Sequence, residues 1–167
     1  VSLRHVTNKI RDNLGELKQF QERTSQLNLE INRRVLMLSG LLYISELISN
    51  GGELDAILDA IMEKVAVVQE SSFSFLCQQP LEGVSVLSRR AHRLDVNRLD
   101  GLSCPSAPLI VDPAHAAPEA VSDAWEQMGR PHLLVQPVLV RDRLIGMLGV
   151  GNRASGFRWT TDLVDLV

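Results

Sequence analysis

The strongest strand signal in this chain is the stretch from residue 133 to residue 150, which reads LLVQPVLVRDRLIGMLGV. Two apolar runs, Leu133–Val140 and Arg143–Val150, flank the polar pair Arg141 and Asp142. Apolar runs of this length around a two-residue break are typical of two buried antiparallel strands that are joined by a tight turn. The sequence therefore predicts a β-hairpin here, and it is the best-marked hairpin of the chain.

Three shorter strands are expected before this hairpin. Residues 72–78 read SFSFLCQ and alternate Phe73 and Phe75 with serine, which predicts a strand. The segment Val84–Ala91 follows a Glu-Gly turn and is expected to return beside that strand as its hairpin partner. Residues 109–111 then form a short apolar run that an Asp-Pro pair stops, and they predict a third strand.

Two helices are predicted within the same part of the chain. Apolar residues recur on one helical face between Leu54 and Ala66, so this helix is expected to cover a core. Pro118 suits the first position of a second, short helix that ends before Gly129. The polar segment 92–107 predicts a long loop, which is either a functional cover or a partly disordered segment.

The amino-terminal segment predicts one long helix that ends at Asn50-Gly51-Gly52, because glycine accepts the left-handed conformation at a helix terminus. There is no proline from residue 3 to residue 41, and apolar residues recur at steps of three and four, as in a heptad seam. A helix of forty to fifty residues is roughly 60 to 75 Å long, more than a domain of this size spans, so we expect the seam to pair with a second copy in a parallel coiled coil. The alternative is an amphipathic helix that packs back on its own domain. The seam consists of Leu3, Val6, Ile10, Leu17, Phe20, Leu27, Ile31, Leu38 and Leu41.

Polar residues interrupt this seam at Asn13, Thr24 and Arg34. Asn13 is the kind of seam residue that fixes register, although it is also tolerated near a frayed end. Burying Arg34 would be costly without a partner. If the step after Ile31 is four, the seam continues through Val35, Leu38 and Leu42, and Arg34 turns to solvent. We favour this second register.

Composition and charge exclude several classes of protein. Of 167 residues, 45% are hydrophobic and 22% charged, which is typical of a folded globular chain. Residues 1–50 carry seven Lys or Arg against five Asp or Glu, and the remainder carries ten against fifteen. A mildly acidic main domain with 4% aromatic residues lacks the basic stripe that nucleic-acid binding requires.

The sequence also indicates where the protein acts and how the chain is divided. No apolar run is long enough for a transmembrane helix and no secretory signal is visible, so a cytoplasmic location without direct membrane contact is expected. We expect two parts, a signalling helix over residues 1–50 and a domain over residues 51–167. Because the sequence begins without methionine and stops inside an apolar pattern, we expect it to be a piece of a longer protein.

Residues 40–167 resemble a GAF domain. The resemblance rests on QPVLV at 136–140 and LIGMLGV at 144–150, followed by three pairs of residues, Asn152-Arg153, Gly156-Phe157 and Asp162-Leu163. It implies an α+β fold: an antiparallel sheet of about six strands with helices on one face, here preceded by the long coiled-coil helix. It also implies a ligand cavity on the other face, under a cover formed by residues 92–128.

The resemblance does not name the ligand, because GAF domains bind cyclic nucleotides, tetrapyrroles, haem or ligands not yet known. Asn152-Arg153, Phe157 and Asp162 resemble a cyclic-nucleotide signature, but arginine replaces its lysine; the alternative is an ion pair between Arg153 and Asp162. Cys104 precedes proline where a pigment-binding cysteine precedes histidine. The cofactor is therefore left unknown. The candidate cavity residues are Phe73, Phe75, Cys104, His115, Trp125 and Gln136.

Metal and catalytic chemistry find little support in the sequence. No pair of His, Cys, Asp or Glu has a metal-ligand spacing, so no metal site is predicted. Haem through His115 is a minor alternative, whereas His132 is expected to be a structural histidine. There is no phosphate loop, nucleophile elbow or close cysteine set. We expect a non-catalytic sensor module that binds a small molecule. Its signal would pass through the parallel dimeric helix, and through a second helix near Thr160, to an output domain such as a kinase or cyclase. A ligand-free dimerisation connector is the alternative.

Overall fold

The computed structural model describes residues 3–79 and 89–159. Within these ranges the helices are α1 (Leu3–Ser49), α2 (Leu54–Val68) and α3 (Glu119–Gln127), with a 3-10 helix at Val96–Leu99. The strands are β1 (Phe73–Gln78), β2 (Arg89–His92), β3 (Leu109–Val111), β4 (His132–Val140) and β5 (Arg143–Asn152). The first part of the expected strand Val84–Ala91 and the expected helix near Thr160 lie outside the described residues.

The chain divides into two compact units, Val1–Leu41 and Leu42–Val167. Helix α1 begins in the first unit and ends in the second, where Asn50 and two glycines close it as the sequence predicts. Gly51 has a φ of +70°. Its amide donates to the Ile48 carbonyl at 3.1 Å, and the Gly52 amide donates to the Leu47 carbonyl at 2.8 Å. This pair of bonds is a Schellman motif, which satisfies carbonyls that the helix end leaves unpaired.

In the first unit, the predicted helix is confirmed and its apolar side chains are exposed. Phe20, for example, is 71% exposed and Leu27 58%. Arg34 forms an ion pair with Glu30 at 2.5 Å, one helical turn earlier on the same face. Glutamate four residues before arginine is the favourable order on a helix, and the pair holds the guanidinium at the helix surface.

The second unit is built around an antiparallel sheet with the strand order β2-β1-β5-β4-β3. The predicted hairpin is confirmed: β4 and β5 pair directly and occupy the sheet interior. Arg141 and Asp142 both have positive φ, 49° and 62°, which gives the turn the twist of a type I′ hairpin. The described residues contain five strands, where the resemblance implies about six.

Helix α2 covers one face of this sheet. The Ser74 hydroxyl donates to the Met62 carbonyl at 2.7 Å and anchors β1 to the helix. Leu134 and Val150 lie in the same register row as Ser74 and are buried on this face. The 3-10 helix, the loop after it and α3 cover the opposite face. The predicted long loop is thus a structured cover with one short helix inside it.

Two adjacent arginines attach edge strand β2 to the layers on both sides. Alternation along a strand directs neighbouring side chains to opposite faces. Arg89 pairs with Asp100 of the cover, whereas Arg90 pairs with Asp55 and Asp59 of α2, the latter at 3.3 Å. The edge of the sheet is therefore held to both layers by charge.

Candidate functional site

The face of the sheet under the cover is the expected site of a ligand, and most of it is packed with buried side chains. The sheet supplies aromatic, aliphatic and sulfur-bearing residues, and the cover supplies leucines and one face of α3. Together they form one apolar core. The buried members are Phe73, Phe75, Cys77, Leu99, Leu102, Val111, Val121, Ala124, Trp125, Met128, Leu133, Val135 and Met147.

Two phenyl rings fill the middle of this face. The ring of Phe75 lies over Gly149 and the ring of Phe73 over Gly151, so closely that a Cβ on either glycine would lie 2.0 Å from the ring Cζ. From the cover, Trp125 enters the same core and its Nε1 donates to the Pro131 carbonyl at 2.8 Å. The part of the expected cavity next to these rings is therefore occupied by the protein itself.

A cavity of about 300 Å³ remains at one end of the cluster. This volume is at the lower end of the range for small-molecule sites. Its floor is the end of β1 and the start of β5, and its wall is the cover after the 3-10 helix. The lining residues are Cys77, Gln78, Gln79, Leu102, Ser103, Cys104 and Met147.

Two thiols line this cavity. Cys77 is 2% exposed, and burial raises its pKa to about 11, against a smaller lowering by Arg89. Burial also raises the pKa of Cys104. The Cys104 thiol donates to the Gly146 carbonyl at 3.3 Å. Both groups are therefore neutral thiols at physiological pH, because burial outweighs the effect of Arg89 on Cys77 and raises the pKa of Cys104 as well.

The six residues that the sequence proposed for the cavity occupy four different places. Phe73, Phe75 and Trp125 lie together in the buried cluster, and Cys104 lines the cavity beside it. Gln136 lies in the register row of Leu148, one position out of step with Val135, which directs it to the face that α2 covers. His115 is exposed in the turn after β3. The structure does not bring Gln136 and His115 together with the other four.

His115 belongs to a turn that Asp112 organises. The Asp112 carboxylate accepts a hydrogen bond from the Ala114 amide at 2.8 Å, and the His115 amide donates to the Asp112 carbonyl at 3.0 Å. The first of these bonds lowers the pKa of Asp112, and the nearby His132 contributes to the same direction. Within the described ranges, no three His, Cys, Asp or Glu side chains are grouped in a way that suits a metal ion.

The segment that resembles a cyclic-nucleotide signature has partners within the protein. The Asn152 amide nitrogen donates to the Glu70 carbonyl at 2.8 Å, and its oxygen accepts from the Ala154 amide at 2.8 Å. The Arg153 guanidinium lies over the Phe73 ring, 4.9 Å from its centre. Phe157 meets His132 edge to face at 5.7 Å. Asp162, and with it the expected ion pair to Arg153, lies outside the described residues.

Several cavity residues were not proposed from the sequence. Cys77 could have been found, because it continues the alternation of Phe73 and Phe75 on one face of β1. Met147 lies opposite Cys77 in the register of β1 and β5, and only that pairing brings the two together. Leu102 and Ser103 belong to the cover, whose path across the sheet has no periodic signal in the sequence.

Comparison with known proteins identifies the fold. No family model and no curated protein matches the sequence. Among solved structures, the GAF domain of a phosphoenolpyruvate-protein phosphotransferase from Coxiella burnetii matches with a TM-score of 0.57 at 14% identity, over 79% of this chain and 86% of that one. The phycoerythrobilin-bound GAF domain of a cyanobacterial phytochrome matches with a TM-score of 0.56 at 16% identity, over 80% of this chain and 89% of that one.

A third similar structure extends the match along the chain. The GAF domain of a protein described as a sensor histidine kinase from Pseudomonas syringae pv. tomato has a TM-score of 0.52 at 14% identity, over 90% of this chain and 84% of its own. Separately, no helix among the described residues combines the length and apolar character needed to cross a membrane. The antiparallel sheet, its two covering layers and these matches show that the chain has the fold of a GAF domain.

Proposed function

We propose that this protein is a non-catalytic sensory module that acts in the cytoplasm, binds a small molecule beneath the cover of its GAF-type domain, and passes the signal through a parallel dimer of α1 to an output domain. The fold is one that the similar structures use in a phosphotransferase, a phytochrome and a sensor kinase. The 300 Å³ cavity supports ligand binding. A ligand-free connector remains the second candidate, because Phe73, Phe75 and Trp125 fill the rest of the face.

The exposed apolar seam of α1 is the observation that carries the dimer. Ile10, Leu17, Leu27, Ile31 and Leu38 are each more than half exposed in the single chain. Fully burying such a side chain stabilises by about 1.5 to 3 kcal/mol. A second copy offers the same seam to this one, and heptad spacing allows the two to interdigitate along their length.

The relay is proposed to use the two seam registers around Arg34. One register turns Arg34 outward, where Glu30 already pairs with it, and the other brings position 34 into the seam. A ligand can shift this balance only by the difference in its affinity for the two states. Arg34→Leu favours the register that buries position 34, because it removes the cost of burying a charge.

Light scattering of the chain at tens of micromolar tests the dimer. We expect two copies per particle, and we expect lysine at positions 27 and 31 to produce monomers with the helix retained by circular dichroism. Leu29→Lys is the matched control. Leu29 is 65% exposed and lies between Leu27 and Ile31 in the sequence, but it is not a seam position, so this variant should remain dimeric. A monomeric parent chain, or equal loss in the control, contradicts the proposal.

Two further measurements separate the sensor from the connector. Native mass spectrometry of the purified dimer should show a bound small molecule, whereas a connector carries none. Cysteine crosslinking along residues 24–42 should then differ between ligand-bound and ligand-free protein. Cys77 and Cys104 are retained because they line the cavity, and the parent chain without an added cysteine is the control for crosslinks through them. It should differ again in Arg34→Leu. One unchanged pattern in all samples would leave α1 as a passive spacer.

A further inference from the structure

Three sulfur-bearing side chains from three separate segments converge on the cavity. Cys77 comes from β1, Met147 from β5 and Cys104 from the cover. Cys77 and Met147 are direct cross-strand partners, and opposite residues in an antiparallel pair have Cβ atoms about 4.5 to 5.5 Å apart. Cys104 Sγ lies 3.3 Å from the carbonyl oxygen of Gly146, the residue before Met147. The three sulfurs therefore border one small space.

The sulfur-bearing side chains that converge in this way lie at one end of the apolar core. The chain has two cysteines and four methionines, and both cysteines line this cavity together with one methionine. Cys77 and Met147 are 2% and 3% exposed, so their sulfurs are held by surrounding packing. The other polar lining residues within the described ranges are Gln78, Gln79 and Ser103. All three are exposed, which leaves a route from solvent.

The donor atoms select the kind of ligand. Thiolate and thioether are soft donors that favour Cu(I). Structural Zn(II) sites also use thiolate, but they almost always have four ligands, drawn from thiolate, imidazole and carboxylate. Among the residues that the structure describes, none of those lining the cavity is a histidine, aspartate or glutamate. Two cysteine sulfurs and one methionine sulfur form the low-coordinate, all-sulfur set that suits a soft monovalent cation.

We propose that Cys77, Cys104 and Met147 form a binding site for a monovalent soft metal ion, Cu(I) in the reducing cytoplasm. Each cysteine loses its proton to solvent when its sulfur binds the ion, so one Cu(I) enters and two protons leave, with no change in oxidation state. The Cys104 thiol gives up its hydrogen bond to Gly146 in this step. The inference takes from the proposed function only that the cavity binds a ligand; it requires neither the dimer nor the relay.

Competition with a chromophoric Cu(I) chelator under anaerobic, reducing conditions tests the site. The reduced chain should remove one Cu(I) per chain from the chelator, and ultraviolet thiolate-to-copper absorption should appear in the same proportion. Cys104→Ser should weaken binding by about 100-fold or more, and Met147→Leu by about 10-fold, because each removes one soft donor. Cys104 is the first choice for substitution. Cys77 is almost fully buried, so Cys77→Ser puts the stability of the domain at risk.

Met128→Leu is the matched control for the methionine. Met128 is 1% exposed and belongs to the same core, but it does not line the cavity. This variant should bind Cu(I) within about 2-fold of the parent, as expected when only packing changes. Circular dichroism of every variant confirms that the fold is retained.

Three results would overturn the metal site. The first is a Cu(I) affinity that is unchanged in Cys104→Ser, and the second is an equal Cu(I) affinity in Met147→Leu and Met128→Leu. The third is tighter binding of Zn(II) than of Cu(I) by the parent chain. None of them bears on the dimer, because light scattering and the seam variants report on α1 alone. A parent chain that forms dimers but binds no Cu(I) therefore rejects this inference and leaves the proposed function standing.

Discussion

The ring of Phe75 lies directly against the backbone of Gly149, where any Cβ would be 2.0 Å from the ring Cζ. The two residues are cross-strand partners in the register of β1 and β5. Glycine at this position is therefore required by close approach, since the ring occupies the volume that a side chain would need. The contact explains why a phenylalanine on one central strand faces a glycine on the next.

Gly149→Ala is expected to destabilise the domain by about 2 kcal/mol or more, because overpacking a tight core displaces the ring or the strand. Denaturant unfolding measures the change. Gly15→Ala makes the same substitution in α1, where nothing lies within 4 Å, and should be neutral or stabilising by helix propensity. Adding Phe75→Leu should recover part of the loss from Gly149→Ala. Full additivity of the two changes would argue against the contact.

Asn152→Asp should lower the free energy of unfolding by about 2 kcal/mol. The variant keeps the acceptor for the Ala154 amide but places a carboxylate oxygen against the Glu70 carbonyl, where the amide nitrogen now donates. Asn152→Ser, which is smaller and uncharged, serves as the comparison and should lose less. Thermal unfolding checks both. Equal stability of parent and Asn152→Asp would show that this hydrogen bond contributes nothing.

Arg90 is expected to stabilise the contact between β2 and α2, because its guanidinium donates to two carboxylates at once. Its side chain is 25% exposed, while those of Asp55 and Asp59 are 71% and 64% exposed. Arg90→Lys should therefore cost about 0.5 to 1 kcal/mol, since one ammonium cannot serve both partners in the same geometry. A double-mutant cycle with Asp55→Ala measures the coupling, which should decrease at high salt. Zero coupling at low salt would contradict the assignment.

Stability should fall as pH rises from about 9 to about 11, because of Cys77. Burial raises the pKa of this thiol from 9.0 to about 11, so in this window the unfolded chain releases a proton that the folded chain retains. The expected loss is roughly 1 kcal/mol per pH unit. Urea unfolding at pH 8, 9, 10 and 11 should show this slope in the parent. Cys77→Val removes the group, so the same slope in that variant would assign it to other residues.

Local patterns in the sequence were sufficient to predict most of the helices and strands. The hairpin Leu133–Val150 was predicted by its two apolar runs, and the end of α1 by Asn50 and two glycines. Helix α3 was predicted by Pro118 and Gly129. Each of these signals lies within a few residues of the feature it determines, and each acts through backbone conformation or through burial of one face.

The site could not be predicted in the same way. Its residues are far apart in the sequence, and no local pattern shows that they lie together. Alternation in β1 was enough to place Phe73 and Phe75 on one face, but whether β4 directs residue 135 or residue 136 to that face follows from strand register. For the same reason Gln136 lies under α2, away from the buried cluster. The sequence by itself determined which segments are strands and helices, because propensity and periodicity are local. Only the tertiary structure decided that Cys77, Cys104 and Met147 share one cavity, because sheet pairing and the path of the cover bring together residues that are far apart in the chain.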